Sequence, residues 1–160
     1  CGIHFYREKL NKETNEWESI DTWDSDDQSE APPSVIYYFG KNREESPVNG
    51  VFPYSLFIGR DYQLFAAIAE VRGEYDWSLT PKGFPEDASE PVKARFDYED
   101  YDAHTPSYLT VTELKEFKLR ITITVNDIDV NDVITALDTI LNKLPKDDPD
   151  HHRIVFWFDN

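Results

Sequence analysis

Methionine is absent from these 160 residues and cysteine occurs once. A single cysteine cannot close an internal disulfide, which suits a reducing compartment and a cytoplasmic location. If Cys1 is the native first residue, the initiator has been removed and Cys1 carries the α-amine. There is no run of about 18 apolar residues, so no membrane-spanning helix and no membrane partner are expected. No basic-then-apolar leader precedes the first predicted strand either. Cations are scarce: 16 Lys and Arg stand against 32 Asp and Glu, a net charge of −16. A field of that sign repels DNA, RNA and anionic lipid, which argues against a duplex-coating role. It leaves room for a small anion in a local pocket whose sign is set by Arg60, Arg72 and Lys82. The acidity otherwise reads as solubility.

What is present is enough for one domain over residues 1–160, burying about two thirds of its unfolded surface without staples. Residues 1 to 10 alternate, with Ile3, Phe5 and Arg7 on one face and His4, Tyr6 and Glu8 on the other. After a turn at 11–15, residues 16–20 return as a second strand, predicting an N-terminal hairpin. Asp21 to Pro33 reads as an exposed loop; Asp24, Asp26 and Asp27 lack the glycine and glutamate spacing of an EF-hand. Val35–Phe39 is short and apolar, and Gly40–Gly50 is another loop.

Tyr62, Phe65, Ala66, Ala69 and Val71 recur at helical spacing, and Arg72-Gly73 supplies a stop. Pro81 to Asp87 is a structured loop, and a short helix is predicted from Glu90 to Arg95 or Phe96. His104 reads as part of a loop leading into a helix whose capping box is Thr110 with Glu113. Arg120 to Val125 alternates strictly and predicts a strand. A helix capped by Asp129 or Asn131 ends at Pro145, and Ile154–Phe158 is a strand buried on both faces. The class predicted is α+β: the hairpin and the C-terminal strand lie in a mixed sheet packed by three to four helices.

Groups able to do chemistry concentrate in two stretches. Cys1-Gly2-Ile3-His4 places a thiol near an imidazole, and His104 to Thr110 places an imidazole near the hydroxyls of Thr105, Ser107 and Thr110. A helix start is a cradle for phosphate or an oxyanion. If the fold brings His4 across from His104, the pair supplies the acid and base that cleave a phosphodiester without metal; the competing reading for each is a structural imidazole. His151 and His152 read as an exposed turn. A zinc site from Cys1, His4, His104 and Asp159 is chemically permissible but has no paired-ligand spacing, so neither metal nor cofactor is expected. Cys1-Gly2-Ile3 also resembles the start of glutamine amidotransferase domains of the N-terminal-nucleophile type, over three residues only.

Five stretches together resemble a family of small accessory proteins carried by bacteriophages and prophages. They are Cys1-Gly2-Ile3-His4, against C-D-I-H; Arg60 to Arg72, against R-x-Y-x-L-F-A-x-L-A-x-V-R; Gly83 to Ser89, against G-L-P-x-D-x-S; His104 to Leu114, against H-S-x-S-W-L-T-x-x-E-L; and the terminal Ile154 to Asn160. Gly2, Thr105 and Tyr108 depart from the usual Asp, Ser and Trp. The resemblance implies an accessory protein of an infected bacterium, and proteins of this size often counter host immunity. The expectation is therefore an antagonist that binds and cleaves a small nucleotide signal, a cyclic oligonucleotide, as a metal-independent phosphodiesterase. His4 and His104 are its expected catalytic pair. Cys1, Arg60, Tyr62, Arg72, Thr105, Ser107, Tyr108 and Trp157 are its expected ligand-binding set, the aromatics suiting a base. The alternatives are a sponge that sequesters the ligand, or an acidic nucleic-acid mimic that inhibits a host defence protein; a homo-oligomer is compatible with each.

Overall fold

The computed structural model describes residues 1–24, 51–99 and 101–160. The short apolar stretch at 35–39, the loop at 40–50, and Asp26 and Asp27 lie outside the described residues. In chain order the elements are β1 (Ile3–Asn11), β2 (Glu16–Ser19), β3 (Thr22–Asp24), β4 (Val51–Pro53), α1 (Tyr62–Ala69), α2 (Glu90–Glu99) and β5 (His104–Thr110). There follow α3 (Val111–Thr124), α4 (Val130–Asn142), a 3-10 turn (Pro149–His151) and β6 (His152–Phe158).

The N-terminal hairpin forms because Asn11 closes its turn: the Asn11 side-chain oxygen accepts from the Glu13 and Thr14 amides, and Asn15 takes φ 59°. The β1/β2 pair joins β6 and β5 in a four-stranded sheet of order β2-β1-β6-β5. Every pairing in it is antiparallel, in place of the mixed sheet expected. β6 is central and all seven of its residues are buried. One face, carrying Phe5, Leu109, Ile154, Phe156 and Phe158, packs on α1, α3 and α4. The other face, carrying Tyr6, Val155 and Trp157, is covered by Val92 of α2 with Phe84 and Phe96. The fold is thus α+β, with hairpin and terminal strand where the periodicity put them. β3, within a stretch expected to be a loop, pairs with β4 in a separate two-stranded ribbon.

Two local readings change. Residues 120–124 continue α3 and do not form a strand. The Thr110/Glu113 capping box starts the helix, and Val111, Leu114, Phe117 and Ile121 give it a buried stripe. The hydroxyls of Thr122 and Thr124 donate to the carbonyls four residues back. Helical packing of Ile121 therefore outweighs the period-two pattern, and Ile123 is left 72% exposed. The second change concerns His104 to Thr110, which form β5 and not a loop. Pro106 is tolerated because β5 is an edge strand and the ladder is interrupted between His104 and Ser107. His104 consequently lies at the opposite end of β5 from the α3 start, roughly 20 Å away at strand rise.

Candidate functional site

The first residue of β1, the last of β6 and the first of β5 meet at one end of the sheet, where Ile3 pairs with Phe158 and Phe158 with His104. Beyond that end, Cys1 and Gly2 run beside Asp159. The Gly2 amide donates to Asp159 Oδ1 at 2.8 Å, and the Asp159 amide donates to the Gly2 carbonyl at 3.0 Å. A cleft of about 480 Å³ opens here, lined by Cys1, Arg72, His104, Thr105, Asp159 and Asn160 with Glu70 and Val71. Helix α1 delivers Arg72: the chain leaves the helix through Glu70, whose left-handed φ of 57° lets its amide bond back to Ala66 and Phe65.

Thr105, a β-branched residue, holds φ 52°, a conformation such side chains rarely adopt. Of the five non-glycine residues with positive φ among those described, Glu70, Arg72 and Thr105 all line this cleft. Backbone strain of this kind concentrates where a site must be held in shape. The Thr105 hydroxyl lies 3.0 Å from His104 Nδ1 and fixes the ring. His104 Nε2 is left without a hydrogen-bond partner among the described residues and stays available to a ligand.

His4 is not on that face of the sheet. It pairs with Trp157 and stacks 5.9 Å from its ring, whereas His104 pairs with Phe158 and lies 6.1 Å from that ring. Trp157 and Phe158 are consecutive and belong to the cores on opposite faces, so the two imidazoles point to opposite sides of the sheet. Both nitrogens of the His4 ring are also occupied. Nδ1 lies 3.2 Å from Glu99 Oε1 and Nε2 lies 3.0 Å from Asp159 Oδ2, with only 6% of the side chain exposed. Glu99, in turn, accepts from Arg95 and from Trp157 Nε1. The chain Glu99–His4–Asp159 carries the buried interior out to a carboxylate that borders the cleft.

No protein-family model, curated protein or solved structure matches this chain. The site therefore has to be read from its own groups.

Cys1, Arg72, His104 and Thr105 come together in the cleft, and His4 reaches it through Asp159. Arg60 and Tyr62 line a neighbouring cleft of about 580 Å³ at the start of α1. Tyr62 is linked to the first cleft because the Arg72 guanidinium sits 4.8 Å from the centre of its ring. Arg60 also lines a third cleft, of about 490 Å³, with Gly2, Ile3 and His4.

Ser107, Tyr108 and Trp157 stand apart from the cleft and hold structure. Buried Ser107 accepts the Lys82 amide on its hydroxyl at 3.0 Å. Tyr108 packs under Lys82 Nζ at 4.1 Å, and fully buried Trp157 stacks on Tyr6 at 4.9 Å. His152 departs from the exposed turn expected of it: it opens β6 and is buried. Among the described residues, no group of three or more His, Cys, Asp or Glu side chains is placed to hold a metal ion.

Glu99 lay outside the sequence-derived set, and Asp159 entered it only as a permissible zinc ligand. Asp159 had a faint signal, since it ends the apolar run of the terminal strand beside the strand that carries His4. Burial pushes its carboxyl up, but the Gly2 amide and His4 outweigh burial and hold it below the usual carboxylate range. The cleft thus offers a guanidinium, a hydroxyl, an oriented imidazole and an ionised carboxylate.

Proposed function

We propose that this protein is a phage accessory protein that antagonises host defence by binding a small nucleotide signal, such as a cyclic oligonucleotide, in the cleft at the open end of the sheet. The observation that carries the reading is the convergence of Arg72, His104 and Thr105 on that one cleft. A guanidinium, an imidazole and a hydroxyl are the donors a phosphate needs. Tyr62, 41% exposed and lying under Arg72, adds a stacking surface beside them for a base. Local donors of this kind work against an overall charge of −16 because the ligand is small and the contacts are short.

Sequestration is favoured over cleavage by a histidine pair. Acid and base must reach the same phosphodiester, and His4 faces away from His104 with both ring nitrogens engaged. Cleavage is the second reading, supported by the availability of His104 Nε2. The two separate on incubating the protein with cyclic di- and trinucleotides, denaturing it and resolving the nucleotides by chromatography. Intact ligand is expected, together with an affinity loss of about tenfold for Arg72→Ala. Linear products would move the assignment to the hydrolase. Failure to retain any nucleotide would remove the reading altogether.

A further inference from the structure

The Asp159 carboxylate, like that of Glu70, which also lines the cleft, is left unused by phosphate-binding, since an anion repels an anion. Its oxygens are nevertheless held in a fixed plane. Oδ1 accepts from the Gly2 amide at 2.8 Å, and Oδ2 lies 3.0 Å from Nε2 of buried His4, whose other nitrogen is backed by Glu99. Each carboxylate oxygen accepts two hydrogen bonds, so one acceptor position on each remains after these contacts. The side chain is 36% exposed and borders the cleft that holds Arg72 and His104. Position 2 is also shaped for this carboxylate: a Cβ on Gly2 would come 3.2 Å from Oδ2 and 3.5 Å from Oδ1.

We infer that Asp159 is the specificity-determining residue of the cleft and selects a guanine base, with His4 as the residue that positions it. The inference rests on the nucleotide reading above. A carboxylate with both oxygens presented side by side pairs with two neighbouring N–H donors. Among the common bases, guanine alone offers that pair, from its N1–H and its exocyclic amine. Adenine and cytosine offer a donor beside an acceptor, and uracil a single donor between two carbonyls. A site built to accept hydrogen bonds discriminates strongly, because a ligand lacking the donor leaves the acceptor unpaired. The cleft then has a direction, with phosphate at Arg72 and Thr105 and base edge at Asp159. His4, whose ring nitrogens face Glu99 and Asp159, gains a role that does not require it to touch the ligand.

The test is calorimetric titration of the whole protein with GMP, IMP, AMP and ribose 5-phosphate. GMP is expected to bind most tightly. IMP, which lacks the exocyclic amine, should bind about tenfold more weakly, and AMP more weakly still. Asp159→Asn replaces one acceptor by a donor at constant shape and should level GMP with IMP; Gly2→Ala, which crowds the carboxylate, should reduce the preference without abolishing phosphate binding. Equal binding of all four probes would overturn the guanine assignment while leaving the phosphate cleft standing. An unchanged GMP preference in Asp159→Asn would overturn it too. Binding of none would sink both readings, and if Asp159→Asn fails to fold, the wild-type probe series decides alone.

Discussion

His152 opens β6 with a buried side chain whose Nδ1 has no hydrogen-bond partner among the described residues. Burial pushes its imidazole below the ordinary value of 6.5, helped by Lys9 directly across the β1/β6 pair and by His151, and opposed by Asp148 and Asp147. The folded protein therefore binds this proton more weakly than the unfolded chain does. Stability from the neutral ring is complete above about pH 6.5 and is lost as pH falls below it. Thermal unfolding midpoints should consequently decline between about pH 7.5 and 5 more steeply for the wild type than for His152→Gln. Parallel declines would show that this ring is not the source. At this scale the sequence was only partly readable. Alternation put His4 on the correct face of β1, but nothing in its neighbours signalled that Glu99 and Asp159 would close on both nitrogens of its ring.

The loop from Pro81 to Ser89 is tied down by a buried ion pair on the sheet. Arg153 Nε donates to Glu8 Oε1 at 2.8 Å and its Nη1 donates to Asp87 Oδ1 at 2.9 Å, while the Ser89 amide donates to Glu8 Oε2 at 2.7 Å. Trp17 covers the guanidinium at 4.0 Å. Glu8 is fully buried and Arg153 nearly so, and an ion pair at such depth is costly to break from one side. Glu8→Ala should destabilise the protein by about 3–5 kcal/mol in urea titration, and adding Arg153→Met should recover part of that loss. A single-variant cost below about 1 kcal/mol would mean that the loop is held by other contacts. The Asp of the G-x-P-x-D-x-S stretch thus has a structural task. Elements themselves were legible where caps or long periodicities marked them, as at Thr110 and in β6. They were misread where period two and period 3.6 fit the same residues, as at 120–125, because only the neighbouring layer decides which face is buried.

Across the whole molecule, acidic charge outnumbers basic charge two to one. With 32 acidic and 16 basic residues in a chain of 160, self-repulsion opposes the compact state, and salt should relieve it. Raising NaCl from about 0.01 M to about 1 M shortens the Debye length from about 30 Å to about 3 Å. The unfolding midpoint is expected to rise over that range. A fall would indicate that screened ion pairs such as Lys12–Asp148 and Lys82–Glu113 outweigh the net repulsion.

Sequence by itself determined the class, the hairpin, the twice-buried terminal strand and the capped helix, because each follows from contacts near in the chain or from a pattern of apolar residues. It also placed Arg72, His104 and Thr105 among the groups of interest. Only the tertiary structure decided that β6 runs between β1 and β5, which puts His4 and His104 on opposite faces and brings Asp159 beside Gly2, 157 positions away. Pairing register between strands distant in sequence depends on how both sheet faces pack at once. A one-residue difference in partner, Trp157 for His4 and Phe158 for His104, separates two imidazoles that the sequence alone invites one to join.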